Sequence, residues 1–373
     1  MENRSAKVTV MFSQRIEGIV AVTQIVLTRI AVLQIAVLVA AHSAFAATGT
    51  VYVADEAANT ISVIDATSFK KIGSIPGGSG PHNVQVAPDG KWVWITNNGD
   101  PVKAAEMPTE RMPTQQMPKA EHAAMAGAGA VWAVDTATDA VVAKVPVGKH
   151  PAHVVLTSDG RIAYVTNGGD NTVSVLDTAA QRVTAVIAVG ASPHGLRISP
   201  DGKQVWVANL KSGTVSVIDT DSQKQVAQIV AGKSPAQVGF TPDGRFGFVS
   251  LSGENAVAVI NPVSRKVVRK IAVGTVPIQL YATPDSAFVL VANQGTPKKP
   301  GSAVSMIDLT KMKVVATIKT EAGAHGVVID RDGRHAFVTN TYANSVSVID
   351  LAKRNVVATV PVGKGPNGIS MGP

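Results

Sequence analysis

A four-residue unit, Tyr164-Val165-Thr166-Asn167, followed ten residues later by Asp177, recurs with small substitutions along the whole chain. Trp94-Ile95-Thr96-Asn97, Trp206-Val207-Ala208-Asn209, Leu290-Val291-Ala292-Asn293 and Phe337-Val338-Thr339-Asn340 are copies of its first half. Copies of the second half end at Asp65, Asp135, Asp177, Asp219, Asn261, Asp308 and Asp350, separated by 70, 42, 42, 42, 47 and 42 residues. A period of that length restricts the chain to repeat architectures, in which one unit cannot bury its own apolar faces and must stack on its neighbours.

One period, residues 193–232, reads as four short strands. The first ends at Pro200-Asp201-Gly202, a tight turn that uses Gly for a positive φ. Gln204 to Ala208 and Thr214 to Ile218 alternate in Val, and Gln225 to Val230 is the fourth strand. Asp219 stands where its carboxylate can accept from backbone amides a few residues on and hold a hairpin. Four such strands make one antiparallel blade, and blades that stack face to face around an axis make a β-propeller. The 70- and 47-residue gaps carry 28 and 5 extra residues; without them, the 327 residues after Ala46 are seven periods of 42. The chain starts on a second strand (Val51-Tyr52-Val53) and stops just after a first strand (Asn367 to Met371). The expected fold is therefore all-β, a seven-bladed propeller whose N- and C-terminal strands share one blade and leave no free edge.

The unit Tyr164-Val165-Thr166-Asn167, with Asp170-Asn171-Thr172-Val173-Ser174-Val175-Leu176-Asp177 behind it, resembles the defining motif of the YVTN-repeat β-propellers. The resemblance covers residues 50–371. It implies a seven-bladed propeller of the kind found in archaeal surface-layer proteins and exported bacterial proteins, and related propellers occur in subunits of several oxidoreductases. The motif is structural in that family, so no catalytic residue is implied through it. Function has to be sought where the chain departs from its repeat.

The N-terminus is one departure. Arg29 precedes an apolar run, Ile30 to Ala41, and Ala44-Phe45-Ala46 offers small residues for signal peptidase. Residues 1–46 thus read as a secretory signal, placing the propeller at 47–373 in the periplasm or outside the cell; an uncleaved membrane anchor and a start at Met11 or later are the alternatives. There is no cysteine, which excludes disulfides, thiolate metal sites and haem attached through Cys-x-x-Cys-His. The net charge of +8 is scattered over turns without a long basic run, which argues against a nucleic-acid groove. A membrane contact is expected only through an uncleaved signal, and a monomer is expected.

A second departure is a ring of polar residues. Each first strand follows a Gly-x-x-Pro-like turn, and the next two residues read His82-Asn83, Ala152-His153, His194-Gly195, Ala236-Gln237, Ile278-Gln279, His325-Gly326 and Asn367-Gly368. First strands line the axial channel, so these positions surround one mouth of it. Four of the eight histidines fall there: His82, His153, His194 and His325. They are candidate metal ligands, or alternatively hydrogen-bonding links between blades.

The third departure is the insertion at about residues 99–127. It holds Met107-Pro108, Met112-Pro113 and Met117-Pro118, then His122 and Met125, among polar residues. Thioethers are soft donors suited to Cu(I) or Ag(I), so Met107, Met112, Met117 and His122 join the candidate ligands with copper as the candidate ion; the alternative is a low-complexity loop. The insertion falls between a second and a third strand, at the same end as the start of the first strands. A smaller one, Thr296-Pro297-Lys298-Lys299-Pro300, falls there too, and its charge favours anions. No His-Glu-x-x-His, Gly-x-Ser-x-Gly or phosphate-binding loop is present. The sequence therefore points to an exported, non-catalytic propeller that binds a ligand, a metal ion or a protein partner through its irregular face. The alternatives are a periplasmic copper-binding protein, with the methionine segment as a lid over the histidines, and a propeller component of an oxidoreductase or hydrolase. Intact-mass measurement of the secreted protein is expected to show a chain that begins at Ala47; a full-length species confined to membrane fractions would overturn the cleaved signal.

Overall fold

The computed structural model describes residues 49–99 and 129–372. These form seven four-stranded antiparallel sheets, and no helix occurs among the described residues. In six sheets the strands follow chain order from the axis outward, as in the sheet of Pro193–Ile198, Gln204–Asn209, Thr214–Asp219 and Lys224–Val230. In the seventh, Pro366–Met371 pairs with Thr50–Asp55, which continues into Thr60–Asp65 and Lys70–Pro76. The register there sets Val51 opposite Met371 and Val53 opposite Ile369. The two ends of the propeller chain thus complete one blade. We number the blades from this shared one.

Burial falls from the axis outward. Second and third strands are almost wholly buried, whereas fourth strands alternate and leave Val186, Val226 and Val268 in solvent. Seven hydrophobic clusters each lie between two neighbouring blades. The last joins Val51, Val53 and Ile369 of the shared blade to Val328, Phe337 and Val346 of blade 7. Each sheet buries its faces only because it has a neighbour on both sides, and that requirement drives closure of the ring.

The repeat's recurrent polar residues bind the backbone. Asp65, Asp135, Asp177, Asp219, Asn261, Asp308 and Asp350 each accept from an amide N–H two or three residues on, which fixes the hairpin between third and fourth strands. The motif asparagines tie second strands to third: Asn167 Nδ2 donates to Thr172 and Ser174, and Asn340 Nδ2 to Ser345 and Ser347. The motif threonine links blades. Thr166 Oγ1 accepts from the His153 amide of its own blade and donates at 2.7 Å to the His194 carbonyl of the next. Thr96, Ser250 and Thr339 donate in the same way to Ala152, Ile278 and Asn367.

The smaller insertion lengthens a hairpin. Phe288–Thr296 and Lys299–Asp308 stay paired to its tip, where Thr296 opposes Lys299. Of the larger insertion, Met107, Met112, Met117 and His122 lie outside the described residues, as do residues 1–48. Deleting residues 365–373 removes the inner strand of the shared blade and uncovers its neighbours. The expected cost is on the order of 4–5 kcal/mol or more, with aggregation through the bare edge. Unchanged thermal unfolding of that truncated chain would contradict closure.

Candidate functional site

The inner strands touch one another all the way round the axis. In each, the ladder slips just after the first residue, as between Pro193 and Leu196. Such a bulge takes two residues out of the regular alternation and re-aims their side chains. His82 on Pro81–Val86, His153 on Pro151–Leu156, His194 on Pro193–Ile198 and His325 on Ala324–Ile329 all stand at these slipped positions.

Three of them meet. Ring nitrogens of His82, His153 and His194 all lie within 4.8 Å of one another. The His82 and His194 Nε2 atoms are 3.3 Å apart, although their blades are not neighbours. Blade 3 stands between, with Ala152 where they carry histidine, so a small side chain separates the two rings. Blade 3 supplies its own imidazole one residue later, as His153, with ring centroids 5.7 Å from His82 and 4.8 Å from His194. His325 belongs to the same ring of positions but is not part of this cluster. The sequence left open which of the four histidines could share an ion; the structure brings together His82, His194 and His153.

Hydrogen bonds fix the tautomers. His194 Nδ1 donates to the Ala236 carbonyl of the next blade at 2.9 Å, which leaves its Nε2 with a lone pair. This bond replaces a missing one: blade 4 carries Ala208 at the position of the motif threonine, and the imidazole donates to the carbonyl that a threonine would have served. His82 Nε2 then donates to His194 Nε2. On its other side, His82 Nδ1 lies 3.0 Å from the Asn367 amide nitrogen and 3.4 Å from the Glu56 carboxylate. The same Asn367 amide donates to Glu56 Oε2. His153 is buried, and neither of its ring nitrogens has a hydrogen-bond partner among the described residues; the same holds for His325 Nδ1 and for Nε2 of Gln237 and Gln279.

Electrostatics follow from this crowding. Burial, then the charges of His194, His82 and Arg197, hold His153 well below the ordinary imidazole range. Burial, then His82, brings His194 down to about 4. Burial, with His82 and His194, brings His325 down to about 3. Burial alone would raise the Glu56 carboxyl, but the hydrogen bond and charge of His82, with the Asn367 amide, outweigh it and hold Glu56 below its usual value. At neutral pH the channel thus presents unprotonated imidazoles at His153, His194 and His325 beside one ionised carboxylate. The sequence reading did not single out Glu56. Its signal was Asp55-Glu56, two acids where five of the other six repeats have Asn followed by an uncharged residue and the sixth has Leu251-Ser252.

Both ends of the methionine-containing segment lie at this mouth. The Gly99 amide donates to the Ser79 carbonyl and the Gly129 amide to Gly148, in the turns that precede Pro81 and Pro151. Those turns lead into the strands that carry His82 and His153. At the Lys298-Lys299 hairpin, the Gly295 amide donates to Thr275, in the turn before Pro277, so this hairpin stands at the same face.

Comparison with known proteins agrees with the architecture. The YNCE-like β-propeller family profile matches residues 160–252 and 296–371. Together with the seven-bladed ring, this match fits the YVTN-repeat propellers. No curated protein sequence matches the chain. Among solved structures it is similar to hydrazine synthase of Kuenenia stuttgartiensis, with 24% identity over 82% of this chain and 91% of that one and a TM-score of 0.64. It is also similar to a functionally unknown protein of Desulfotomaculum acetoxidans, with 16% identity over 86% and 98% and a TM-score of 0.68. A third is the dihydro-heme d1 dehydrogenase NirN in complex with DHE, with 18% identity over 86% and 74% and a TM-score of 0.60. At these identities the likeness is one of fold.

A pH dependence follows from the depressed imidazoles. The unfolded chain takes up protons on these histidines near pH 6.5, whereas folded His194 and His325 refuse them until about 4 and about 3. Stability is therefore full above that range and lost as pH falls through it, by at most about 1.4 kcal/mol per pH unit for each histidine. Thermal unfolding followed between about pH 7 and pH 4.5 is expected to show this slope, and His325→Gln to flatten part of it; equal slopes in both proteins would remove His325 as a contributor.

Proposed function

We propose that this seven-bladed YVTN-repeat propeller is an exported metal-binding protein whose ion is held at the channel mouth by His82, His153 and His194. The observation that carries the reading is the 3.3 Å between the Nε2 atoms of His82 and His194. Two imidazole nitrogens at about 2.0–2.1 Å from one tetrahedral ion are themselves about 3.3–3.4 Å apart. Two ligands therefore already stand at the right separation, and the third is a buried imidazole with both nitrogens unpartnered.

The chain's own groups can prepare these donors. His194 is oriented by the Ala236 carbonyl, which leaves Nε2 free to bind. His82 binds through Nε2 once its hydrogen has moved to Nδ1, where the Glu56 carboxylate can accept it. A carboxylate behind a metal-bound imidazole fixes the ring and raises its basicity. Because His153 and His194 stay unprotonated at neutral pH, the ion displaces no proton from them. Three imidazoles and an open fourth position suit copper and zinc, with copper favoured by intrinsic affinity.

The methionine segment extends this reading toward Cu(I). Met107, Met112, Met117 and His122 lie on a segment whose ends flank the strands of His82 and His153, and thioethers keep their donor ability without deprotonation. The face at which Gly99 and Gly129 lie is also where a protein partner or a small ligand would dock.

Titration of the purified protein with Co(II) as an optical probe, and with Cu(I) against a competing chelator, tests both parts. His153→Ala is expected to weaken Co(II) binding roughly a hundredfold or more. Ala208→Thr, whose hydroxyl competes for the Ala236 carbonyl, is expected to weaken it by a smaller factor. A variant with Met107, Met112 and Met117 changed to Leu is expected to lose Cu(I) affinity but keep Co(II) affinity. Equal, weak binding by the wild type and His153→Ala would overturn the site and leave the histidines as links between blades.

A further inference from the structure

The channel carries one more ionic group. Arg197 lies three residues beyond His194 on the same inner strand and is half-buried. Its Nη1 donates to the Leu196 carbonyl at 3.2 Å, and no carboxylate pairs with it among the described residues. A guanidinium has five N–H donors, so most of these are uncommitted. Burial lowers its pKa from the ordinary value, opposed only by Tyr281. Tyr281 holds the equivalent position on Pro277–Ala282, two blades on, and the residue between them in the ring is Gly239. Arg197 and Tyr281 thus stand on inner strands on either side of Gly239, which carries no side chain.

Two amides stand on the same arc. Gln237 and Gln279 are buried on the inner strands of blades 5 and 6, and neither Nε2 has an acceptor among the described residues. Gln237 Oε1 accepts from the Val238 amide, which fixes the other end of its amide as a donor. Gly195 makes room for it, because a Cβ there would collide with Gln237 Oε1. The inner strands of blades 4, 5 and 6 thus carry donors: one cation and two uncommitted amides, on three consecutive blades. The charge balance points the same way. The carboxylate acting on the histidines is Glu56, a single negative charge against Arg197 and a divalent ion. Positive charge partly withdrawn from water is stabilised by a counter-charge.

We propose that Arg197, Gln237 and Gln279 form an anion site in the channel, suited to a small molecule that bears a carboxylate. The planar guanidinium can take both oxygens of a carboxylate, and the amides can donate to an oxygen turned away from it. The exposed Lys298 and Lys299 at the mouth raise the local concentration of such anions. The proposal rests on the metal reading only for the second positive charge; the guanidinium and the amides define the site without it.

The test is calorimetric titration of oxalate into the full protein at low ionic strength, with and without zinc. Oxalate is expected to bind in both states, roughly tenfold more tightly with zinc, and Arg197→Gln is expected to weaken binding roughly tenfold or more in each. Arg197→Lys, which keeps the charge and loses the planar fork, is expected to recover only part of the affinity. Near-UV circular dichroism of both variants establishes that they are folded. Oxalate binding that depends on Arg197 in a protein that takes up no zinc would uphold the anion site and remove the metal reading. Zinc binding without oxalate binding, or oxalate binding indifferent to both Arg197 substitutions, would overturn the anion site and leave the metal reading standing.

Discussion

Space at the axis is the constraint on which the rest of this propeller depends. Seven inner strands crowd round one line, and each brings two bulged residues to it. Large side chains cannot occupy both positions in every blade. The chain distributes them unevenly: His194, His325 and Asn367 are each followed by glycine, whereas His153 and Gln237 are each preceded by alanine. The glycines are needed. A Cβ at Gly195 would meet Gln237, one at Gly326 the Asn367 carbonyl, and one at Gly368 the backbone of Asn83. Each glycine therefore makes way for the following blade. The alanines do the complementary work, and Ala152 leaves His82 and His194 free to approach across blade 3.

The same economy of space governs the links between blades. A motif hydroxyl bridges an inner-strand amide and the next blade's carbonyl in four interfaces. Where Ala208 lacks the hydroxyl, His194 supplies the bond. One side chain thus serves two purposes, since the ring nitrogen that seals the interface aims the other at the channel. Linking blades and offering a ligand atom are therefore compatible roles for His194. Its structural bond is what prepares the lone pair.

The fold was legible in the sequence almost in full, because it rests on features that recur. Asp65 and its six counterparts announce hairpins by a local mechanism, and the terminal strands announce closure by being out of phase. The site was legible only in part, because it rests on features that do not recur. The four histidines were visible as a ring, but which of them converge depends on Ala152, a residue conspicuous only for its size. Glu56 and Arg197 were hidden for a different reason. Charged residues at turns and strand ends ordinarily face solvent, and only the geometry of the channel separates these two from the rest. The one sequence signal for the orientation of His194, alanine in place of the motif threonine at 208, acquires meaning once the threonine's hydrogen bond is known.

Buried polar groups left without partners cost roughly 1–3 kcal/mol each, so a fold rarely keeps several of them together. Here His153, Gln237, Gln279 and His325 all have such atoms, and all lie within one ring of positions at one end of one channel. Elsewhere in the repeat the unpartnered buried atoms are mostly spare acceptors, such as the Oδ1 of Asn97, Asn209, Asn293 and Asn340, on side chains that already bond through Nδ2. At the channel they are different: neither ring nitrogen of His153 is bonded on blade 3, and the free ends of Gln237 and Gln279 on blades 5 and 6 are donors. Lone pairs on one arc and amide donors on another suit a species that offers a positive centre to the first and negative oxygens to the second. Ring closure is what makes such a cavity tolerable, because the stability lost at the axis is spread over seven apolar interfaces that do not depend on it.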